Sequence, residues 1–434
     1  MIPRSKHEIS RKNISPNALK VLYRLKDGGY DAYLVGGCIR DLLLGLKPKD
    51  FDVVTNATPD EIKSLFRNCR LIGRRFRLAH IVFGREIIEV ATLRGHHQES
   101  AQQQTEHGQL LRDNVYGTIE EDAERRDFSI NALYYSIADY AILDFAHGVQ
   151  AINERNIQLI GDPETRYRED PVRMLRAVRF ATKLDMNISP DTGNPIYELA
   201  PMIANIPAAR LFEEALKLFM HGEALKNYEL LRDFGLFQHM FPVISEVFGD
   251  PESKEERLLR QVFINTDKRI RSGKKVTPAY IFAALLWYPL ESKANQLMFE
   301  GGLAMHDAYN LSMAEILTEH CKTVSLPKRF SMTTRDIWQL QLRLPKRAGK
   351  RAERLAEHPK FRAGYDFLLL RSDIEGGDLV EIAQWWTRYQ EVEPYMQRKM
   401  ANSLFNQKKK GRPHNRRRQP RKGKTPKQQQ SNHE

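Results

Sequence analysis

The spacing of apolar residues changes once along this chain, near residue 160, and that change limits the fold more than any other feature. Before it, short strand-like runs alternate with short helical ones. Ala32-Tyr33-Leu34-Val35 reads as a buried strand cut off by Gly36-Gly37, and residues 51–55 read as a second strand. The spacing predicts a helix over 17–26 that ends at Gly28-Gly29, and another over 39–44 that stops at Gly45. Thr58, Pro59 and Glu61 compose a helix start: an N-cap hydroxyl, a proline at the first position and a glutamate that closes a capping box. Leu78–Phe83 and Glu86–Thr92 flank Gly84-Arg85 and predict a hairpin. After Asp170 the period becomes helical. Val172, Leu175 and Val178 keep it, as do Leu211, Ala215 and Leu218, then Ile281 and Leu285. No strand is expected beyond about residue 160. The layout is α+β: a small head with a mixed sheet, an all-helical neck and body, and a basic tail.

Composition sharpens this layout. Apolar residues make up 41% and charged residues 28% of the 434, enough for large cores and a well solvated surface. No uninterrupted apolar run reaches the ~18 residues of a membrane-spanning helix. Nothing at the N-terminus has the apolar centre of a secretory leader. Cys38, Cys69 and Cys321 stand far apart, which excludes a disulfide framework and a zinc ribbon and suits a reducing cytoplasm. The net charge of +13 is concentrated: eleven Lys/Arg and no acid lie between Lys408 and Lys427, which leaves about +2 for the rest. From Lys408 to Glu434 there is no aromatic or aliphatic residue, so this tail cannot offset its chain entropy by burial and is expected to be disordered. It is either a solubilising run or an electrostatic trap for nucleic acid, where each neutralised phosphate releases counterions.

The acids most suited to chemistry are in Lys49-Asp50-Phe51-Asp52-Val53-Val54. Side chains alternate along a strand, so Asp50 and Asp52 share a face, about 7 Å apart by the strand rise. Left alone they repel. A divalent cation with hard oxygen ligands and open water positions, Mg²⁺ above all, removes the repulsion. Taken by itself, the same pair also describes a solvated strand face. Gly36-Gly37, between a strand and a helix carrying Arg40, offers backbone N–H groups, a helix N-terminus and a cation to a triphosphate, or else forms a tight turn only. Glu89 shares a strand face with Ile87 and Ala91 and completes an acidic triad if its strand adjoins the Asp pair. The chain lacks GxxxxGK[ST] and HExxH, and His306-Asp307 stands without partner histidines, as an ordinary helix pair.

Leu34-Val35-Gly36-Gly37-Cys38-Ile39-Arg40-Asp41-Leu42-Leu43-Leu44-Gly45, followed by Asp50-Phe51-Asp52, resembles the head of the class II nucleotidyltransferases, the family of the tRNA CCA-adding enzymes and the bacterial poly(A) polymerases. Two more segments match in order: Arg125-Arg126-Asp127-Phe128-Ser129-Ile130-Asn131-Ala132-Leu133, and the EDxxR stretch Arg168-Glu169-Asp170-Pro171-Val172-Arg173-Met174-Leu175-Arg176. The resemblance implies a two-metal phosphoryl transfer. Asp50 and Asp52 would hold two Mg²⁺, with Asp127 as the third acidic position, ranked above Glu89. Gly36, Gly37 and Arg40 would seat the triphosphate of ATP. Arg126 would contact the nucleotide sugar, and Asp170 with Arg173 would read the base. An aspartate can accept from the adenine amino group and arginine offers fixed donors to ring nitrogens. Read without the resemblance, Asp170 before Pro171 is a helix N-cap, Arg126-Asp127 a surface ion pair, and Arg173, Arg176 and Arg179 a solvated helix stripe.

Residues 67–81 carry five arginines and no acid, and their core, 71–81, resembles the signature that separates the polyadenylating members from the CCA-adding ones. A basic patch with one aromatic suits a single-stranded RNA 3′ end. A cationic leash also serves an enzyme that extends arbitrary RNAs better than one that measures a fixed tRNA. The resemblance therefore implies a cytoplasmic template-independent adenylyltransferase, adding AMP to RNA 3′ ends and marking them for decay, with RNA-decay proteins as partners. The alternatives are a CCA-adding tRNA nucleotidyltransferase and a catalytically dead RNA-binding adaptor. The expected domains are a nucleotidyltransferase head at 18–160, a helical neck and RNA-binding domain at 161–255, a helical body at 256–405 and an Arg/Lys-rich RNA-binding tail at 406–434.

Overall fold

The computed structural model describes residues 1–73, 77–95, 115–245 and 250–410. Arg74, Arg75 and Phe76 of the arginine-rich signature, most of the polar stretch around 95–117 and the tail after 410 lie outside the described residues. The chain divides into two compact units, Met1–Ser331 and Met332–Glu434.

The first unit opens with helix α1 (Pro16–Asp27), capped by the Ser15 hydroxyl, which accepts from the backbone N–H groups of Asn17 and Ala18. Strand β1 (Ala32–Val35) runs into α2 (Gly37–Leu43), then β2 (Asp52–Thr55) into α3 (Pro59–Leu65). The capping box expected at Thr58 and Glu61 is present. Next come β3 (Cys69–Ile72), β4 (Leu78–Phe83), β5 (Glu86–Thr92), α4 (Ile119–Glu124), β6 (Leu133–Ser136), β7 (Ile142–Asp144) and α5 (Gly148–Asn153). The seven strands form one mixed sheet in the order β3-β4-β5-β2-β1-β6-β7. Only the β2–β5 pairing is parallel. Helix α1 packs across β1, β2 and β5. Leu34 with Val35, and Val53 with Val54, are buried as consecutive residues, because the middle of the sheet is covered on both faces.

The sequence reading needs four corrections. Helix α2 begins at Gly37 rather than residue 39, since Gly36 (φ 76°) takes the N-cap position that a side-chain-bearing residue would strain. Strand β2 starts at Asp52, one residue later than expected. Residues 69–72 are a strand, although the arginines around them read as a patch. And Asn187–Ile188 pairs in parallel with Asn156–Ile157, so a short strand does occur beyond residue 160.

Helices α6 (Pro163–Glu169), α7 (Val172–Leu184), α8 (Pro190–Leu199) and α9 (Ala208–Phe219) follow, and helices continue to the end of the unit. Aromatic rings knit this part: Phe219 stacks on Phe263 with centroids 4.8 Å apart, and Tyr228 meets Phe237 edge-on at 4.9 Å. The second unit is helical and has its own core of Leu340, Leu344, Tyr365, Leu368, Ile382 and Trp386. Among the described residues no helix is long and apolar enough to cross a membrane.

Candidate active site

Antiparallel pairing sets Val35 opposite Asp52, and parallel pairing sets Asp52 opposite Glu89. The first register brings the Gly36-Gly37 turn against the Asp50-Phe51-Asp52 segment. The second puts Glu89 beside the aspartates. Lys49, Asp50, Asp52, Arg85, Glu86, Ile87 and Glu89 line one open cavity. The two aspartates therefore face one groove, although Asp50 precedes the strand, so alternation along β2 does not by itself place it. Phe51, between them, is largely buried and also borders this cavity.

The electrostatics of this wall are unsatisfied. The Asp52 carboxyl is open to the cavity, yet protein surrounds it on its other sides. That desolvation, followed by the charges of Glu89 and Asp50, pushes it up to about 6, against a smaller pull from Arg126. His80 Nε2 stands 3.5 Å from Glu89 Oε1, a pair that carries opposite charges only when the imidazole is protonated. Behind the wall, burial and the Asp52 charge push the Cys38 thiol up to about 12, so this cysteine is an inert core residue. Among the described residues no three His, Cys, Asp or Glu side chains converge as a ready-made metal cage. An open set of carboxylates is still what Mg²⁺ takes when phosphate oxygens and water complete its octahedron.

Arg126 approaches the glycine turn. A side chain placed on Gly36 would meet Arg126 Nη1 at 3.7 Å and the Asn131 carbonyl at 3.5 Å. Arg126 is held from behind: Nε and Nη2 donate to Asp122 Oδ2 at 3.1 and 2.9 Å, and Nε also donates to the Tyr134 hydroxyl at 2.9 Å. Burial opposes its charge, but Tyr134 and Asp122 outweigh it and raise the guanidinium above its ordinary value. It is a partly buried, built-in cation rather than a surface ion pair. Arg40 is buried and already bonded: Nε and Nη2 donate to Asp41 Oδ1 at 2.9 and 2.6 Å, and Nη1 to Asn131 Oδ1 at 2.6 Å.

Asp127 is absent from the cavity wall. Its Oδ1 accepts from the Phe128 N–H at 2.8 Å and from Asn131 Nδ2 at 3.2 Å, and its Oδ2 from Arg176 Nε at 2.6 Å. Burial works against the charge, but Arg176, Asn131 and the Phe128 N–H together hold the carboxyl below its ordinary range. The geometry thus sets Glu89 beside the aspartate pair and commits Asp127 to the arginines. Asp170 Oδ1 caps the Val172 N–H at 3.2 Å while Oδ2 accepts from Arg210 Nη2 at 2.7 Å. Arg173 Nη1 donates to the Arg166 carbonyl at 2.6 Å and to Glu169 Oε2 at 2.9 Å. Its Nη2 has no bonded partner among the described residues. The stripe Arg173, Arg176, Arg179 is half-buried rather than solvated.

Several members of this network carried no sequence signal of their own. Asp122, on α4, is spaced i,i+4 from Arg126 just past the helix end, a pairing that spacing could have suggested. Arg176 stands inside the EDxxR stretch. Arg166, which donates to the carbonyls of Arg125 and Arg126 at 2.9 and 2.7 Å, and Arg210, forty residues from Asp170, are visible only in three dimensions.

With this geometry in hand, comparison with known proteins is informative. Residues 32–158 match the poly A polymerase head domain, 185–248 the probable RNA and SrmB-binding site of polymerase A, and 301–423 the polymerase A arginine-rich C-terminus. The chain is 57% identical over 411 residues to poly(A) polymerase I of Salmonella typhimurium, covering 93% of this chain and 88% of that one. A CCA-adding enzyme of Geobacillus stearothermophilus is 36% identical over 220 residues, about half of each chain (50% and 53%). A solved tRNA-processing enzyme superposes with a TM-score of 0.63 at 23% identity, over 89% of this chain and 94% of that one, a likeness of fold. The extent of the first match, with head, RNA-binding and arginine-rich regions in order, decides between the two branches: the chain belongs to the bacterial poly(A) polymerase I family.

Proposed function

We propose that the carboxylate wall is where this enzyme, a polynucleotide adenylyltransferase by family, joins AMP from ATP to the 3′-hydroxyl of RNA. The 3′-hydroxyl gives its proton to water as its oxygen bonds to the α-phosphorus, the bond from the α-phosphorus to the bridging oxygen of the β-phosphate breaks, and pyrophosphate leaves with that electron pair. The observation that carries this reading is the convergence of Asp50, Asp52 and Glu89 on one cavity next to a glycine turn. Two Mg²⁺ bound by Asp50 and Asp52 would neutralise phosphate charge and lower the pKa of the attacking hydroxyl.

The chain's own groups do the positioning. Gly36 and Gly37 leave space for the triphosphate beside Arg126 Nη1, and Arg126 also reaches the sugar. Arg40 acts at one remove, fixing Asn131 and with it the turn. Asp127 assists in the same way, by clamping Arg176 and Asn131. Asp170 and Arg173, one helical turn apart at the start of α7, select adenine: a carboxylate oxygen accepts from its amino group and a free guanidinium N–H donates to a ring nitrogen. Residues 18–160 form the catalytic head in this reading, 161–255 the neck that reads base and RNA, 256–405 the body, and 406–434 a basic leash for RNA. Three free cysteines suit the cytoplasm, where the RNA and RNA-decay partners of such an enzyme are found.

The test is extension of one short RNA with each nucleotide offered separately. ATP alone should give a long ladder, lost in Asp50→Ala while RNA binding persists. No extension with ATP alone, together with ordered C, C and A addition that then stops when CTP and ATP are offered with a tRNA lacking its end, would overturn the reading.

A further inference from the structure

A second cavity opens on the head, on the side of the sheet that α1 covers. Its volume is about 430 Å³, and Tyr23, Phe66 and Phe83 supply its rings. Strand alternation separates it from the carboxylate wall. His80 on β4 faces Glu89, whereas Phe83, three residues on, faces α1. The two cavities approach each other at the tip of the β4–β5 hairpin, where Phe83 is the cross-strand partner of Glu86. Glu86 borders the carboxylate cavity, yet its carboxylate is bonded to the start of α1: Oε1 accepts from the Ser15 hydroxyl, and Oε2 from Asn17 Nδ2 at 2.6 Å. The exposed Arg85 sits between Phe83 and Glu86 in the turn's neighbourhood and borders the carboxylate side.

The lining of this second cavity is mixed in a way that points to a ligand. Lys20 and Arg24 fall at i and i+4 of α1 on one exposed edge, and neither has a bonded carboxylate among the described residues. The Arg24 guanidinium lies over the Phe66 ring, 5.3 Å from its centroid. Phe66 is buried beneath it and Arg24 is exposed, which makes a stacked platform open to solvent. Asn68 donates Nδ2 to the Val82 carbonyl at 2.9 Å and keeps Oδ1 as an acceptor, and Asp27 adds a carboxylate to the rim. A purely apolar cleft would suit an aliphatic anchor. Rings, a guanidinium plane, two acceptors and a cationic edge suit a nucleobase with its phosphate: the base stacks, an exocyclic amino group meets Asp27 or Asn68, and the phosphate takes Lys20 and Arg24. We propose that this cavity is an exosite for the RNA being extended. A nucleotide upstream of the 3′ end passes Arg85, rounds the hairpin tip and docks against α1. The proposal rests on the adenylyl-transfer reading only for where the 3′ end lies, since docking needs no catalysis. An acidic protein segment carrying an aromatic residue is the rival occupant; the position of the cavity just past the carboxylate wall favours RNA.

The test uses the full chain with Phe83→Ala, the double variant Lys20→Ala, Arg24→Ala, and Arg24→Lys. Titration with a fluorescent oligoadenylate of about 15 nucleotides, without divalent cation, should show a loss of about 5-fold or more in the first two, the scale of one stacked base or one charge-assisted contact. The double variant should also lower the salt slope by about 0.7, the share of one phosphate. Arg24→Lys keeps the charge and loses the plane, so it should keep the slope and still bind more weakly. In extension assays the KM for that primer should rise with kcat unchanged, while a trinucleotide, too short to round the hairpin, should keep its KM. If Phe83→Ala fails to fold, the two surface variants carry the test. If the wild type extends neither primer, the adenylyl-transfer reading fails, and the divalent-free titration still decides the exosite. Unchanged oligoadenylate affinity in every folded variant would overturn the proposal, as would equal rises in KM for both primers. Release of a synthetic peptide of glutamate and phenylalanine by the same variants, with RNA binding intact, would overturn it in favour of a protein segment.

Discussion

The carboxylate wall of the sheet and the arginine seam along α7 handle buried charge in opposite ways. On the wall, Asp50, Asp52 and Glu89 crowd together, and no cation is bonded to the aspartates among the described residues, so Asp52 is pushed up to about 6. In the seam, Asp127 is more deeply buried than Asp52, yet its carboxyl is held below the ordinary range, because Arg176, Asn131 and a backbone N–H all bond to it. Burial alone therefore does not set the behaviour of a carboxylate; its partners do. A satisfied acid supports the fold. An unsatisfied pair is a place that something positively charged must complete.

Four predictions break or sharpen this contrast. The largest effect belongs to the wall. Asp50→Ala should reduce AMP transfer to a short RNA by on the order of 10³-fold or more, the scale of several kcal/mol of lost charge stabilisation, while thermal melting stays near wild type. Asp127→Asn should do the reverse, costing about 3 kcal/mol of stability in denaturant titration, because it leaves Arg176 partly buried and unpaired. Retained stability in that variant would remove the distinction between the two regions.

The third prediction concerns pH. Asp52 has a folded value above its ordinary one, so the stability it contributes is present in acid and lost as pH rises through about 6. Asp127 has a folded value below its ordinary one, so its contribution is present near neutrality and lost as pH falls through that depressed value. Asp52→Asn should thus raise the unfolding free energy at pH 7.5 and not at pH 4, by up to about 1 kcal/mol once solvent screening in the open cavity is allowed for. Asp127→Asn should lose stability at pH 7.5, and the deficit should shrink toward acid. Equal shifts in both variants at both pH values would contradict the assignment of opposite surroundings. The smallest effect is a control outside both regions: Glu164 and Arg168 form an exposed i,i+4 pair at 2.7 Å, and Glu164→Ala should change stability by less than about 0.5 kcal/mol.

Much of the fold was legible because its signals are local. The capping box at Thr58, the glycine break after Val35 and the hairpin at Gly84-Arg85 each depend on residues within four positions. The helical period after residue 170 likewise needs only neighbouring turns. What escaped was long-range. Strands β6 and β7 were not anticipated, since Leu133–Ser136 is buried throughout and shows no alternation. Glu89 ranked below Asp127 as a companion to the aspartates, because motif order knows nothing of the parallel register that sets Glu89 opposite Asp52. The stripe Arg173, Arg176, Arg179 read equally well as a solvated face, because a run of arginines does not reveal whether acids and a phenyl ring lie across from it. Arg210 could not have been found at all without the packing of α9 on α7.

The central claim is that the paired strand acids form a cation site, and uptake of Mn²⁺ followed by electron paramagnetic resonance tests it most directly. The wild-type protein at pH 7.5 should bind the ion, with affinity falling as pH drops below about 6, where Asp52 takes up a proton. The double variant Asp50→Asn, Asp52→Asn should lose that binding while remaining folded. Equal uptake by both proteins would contradict the account.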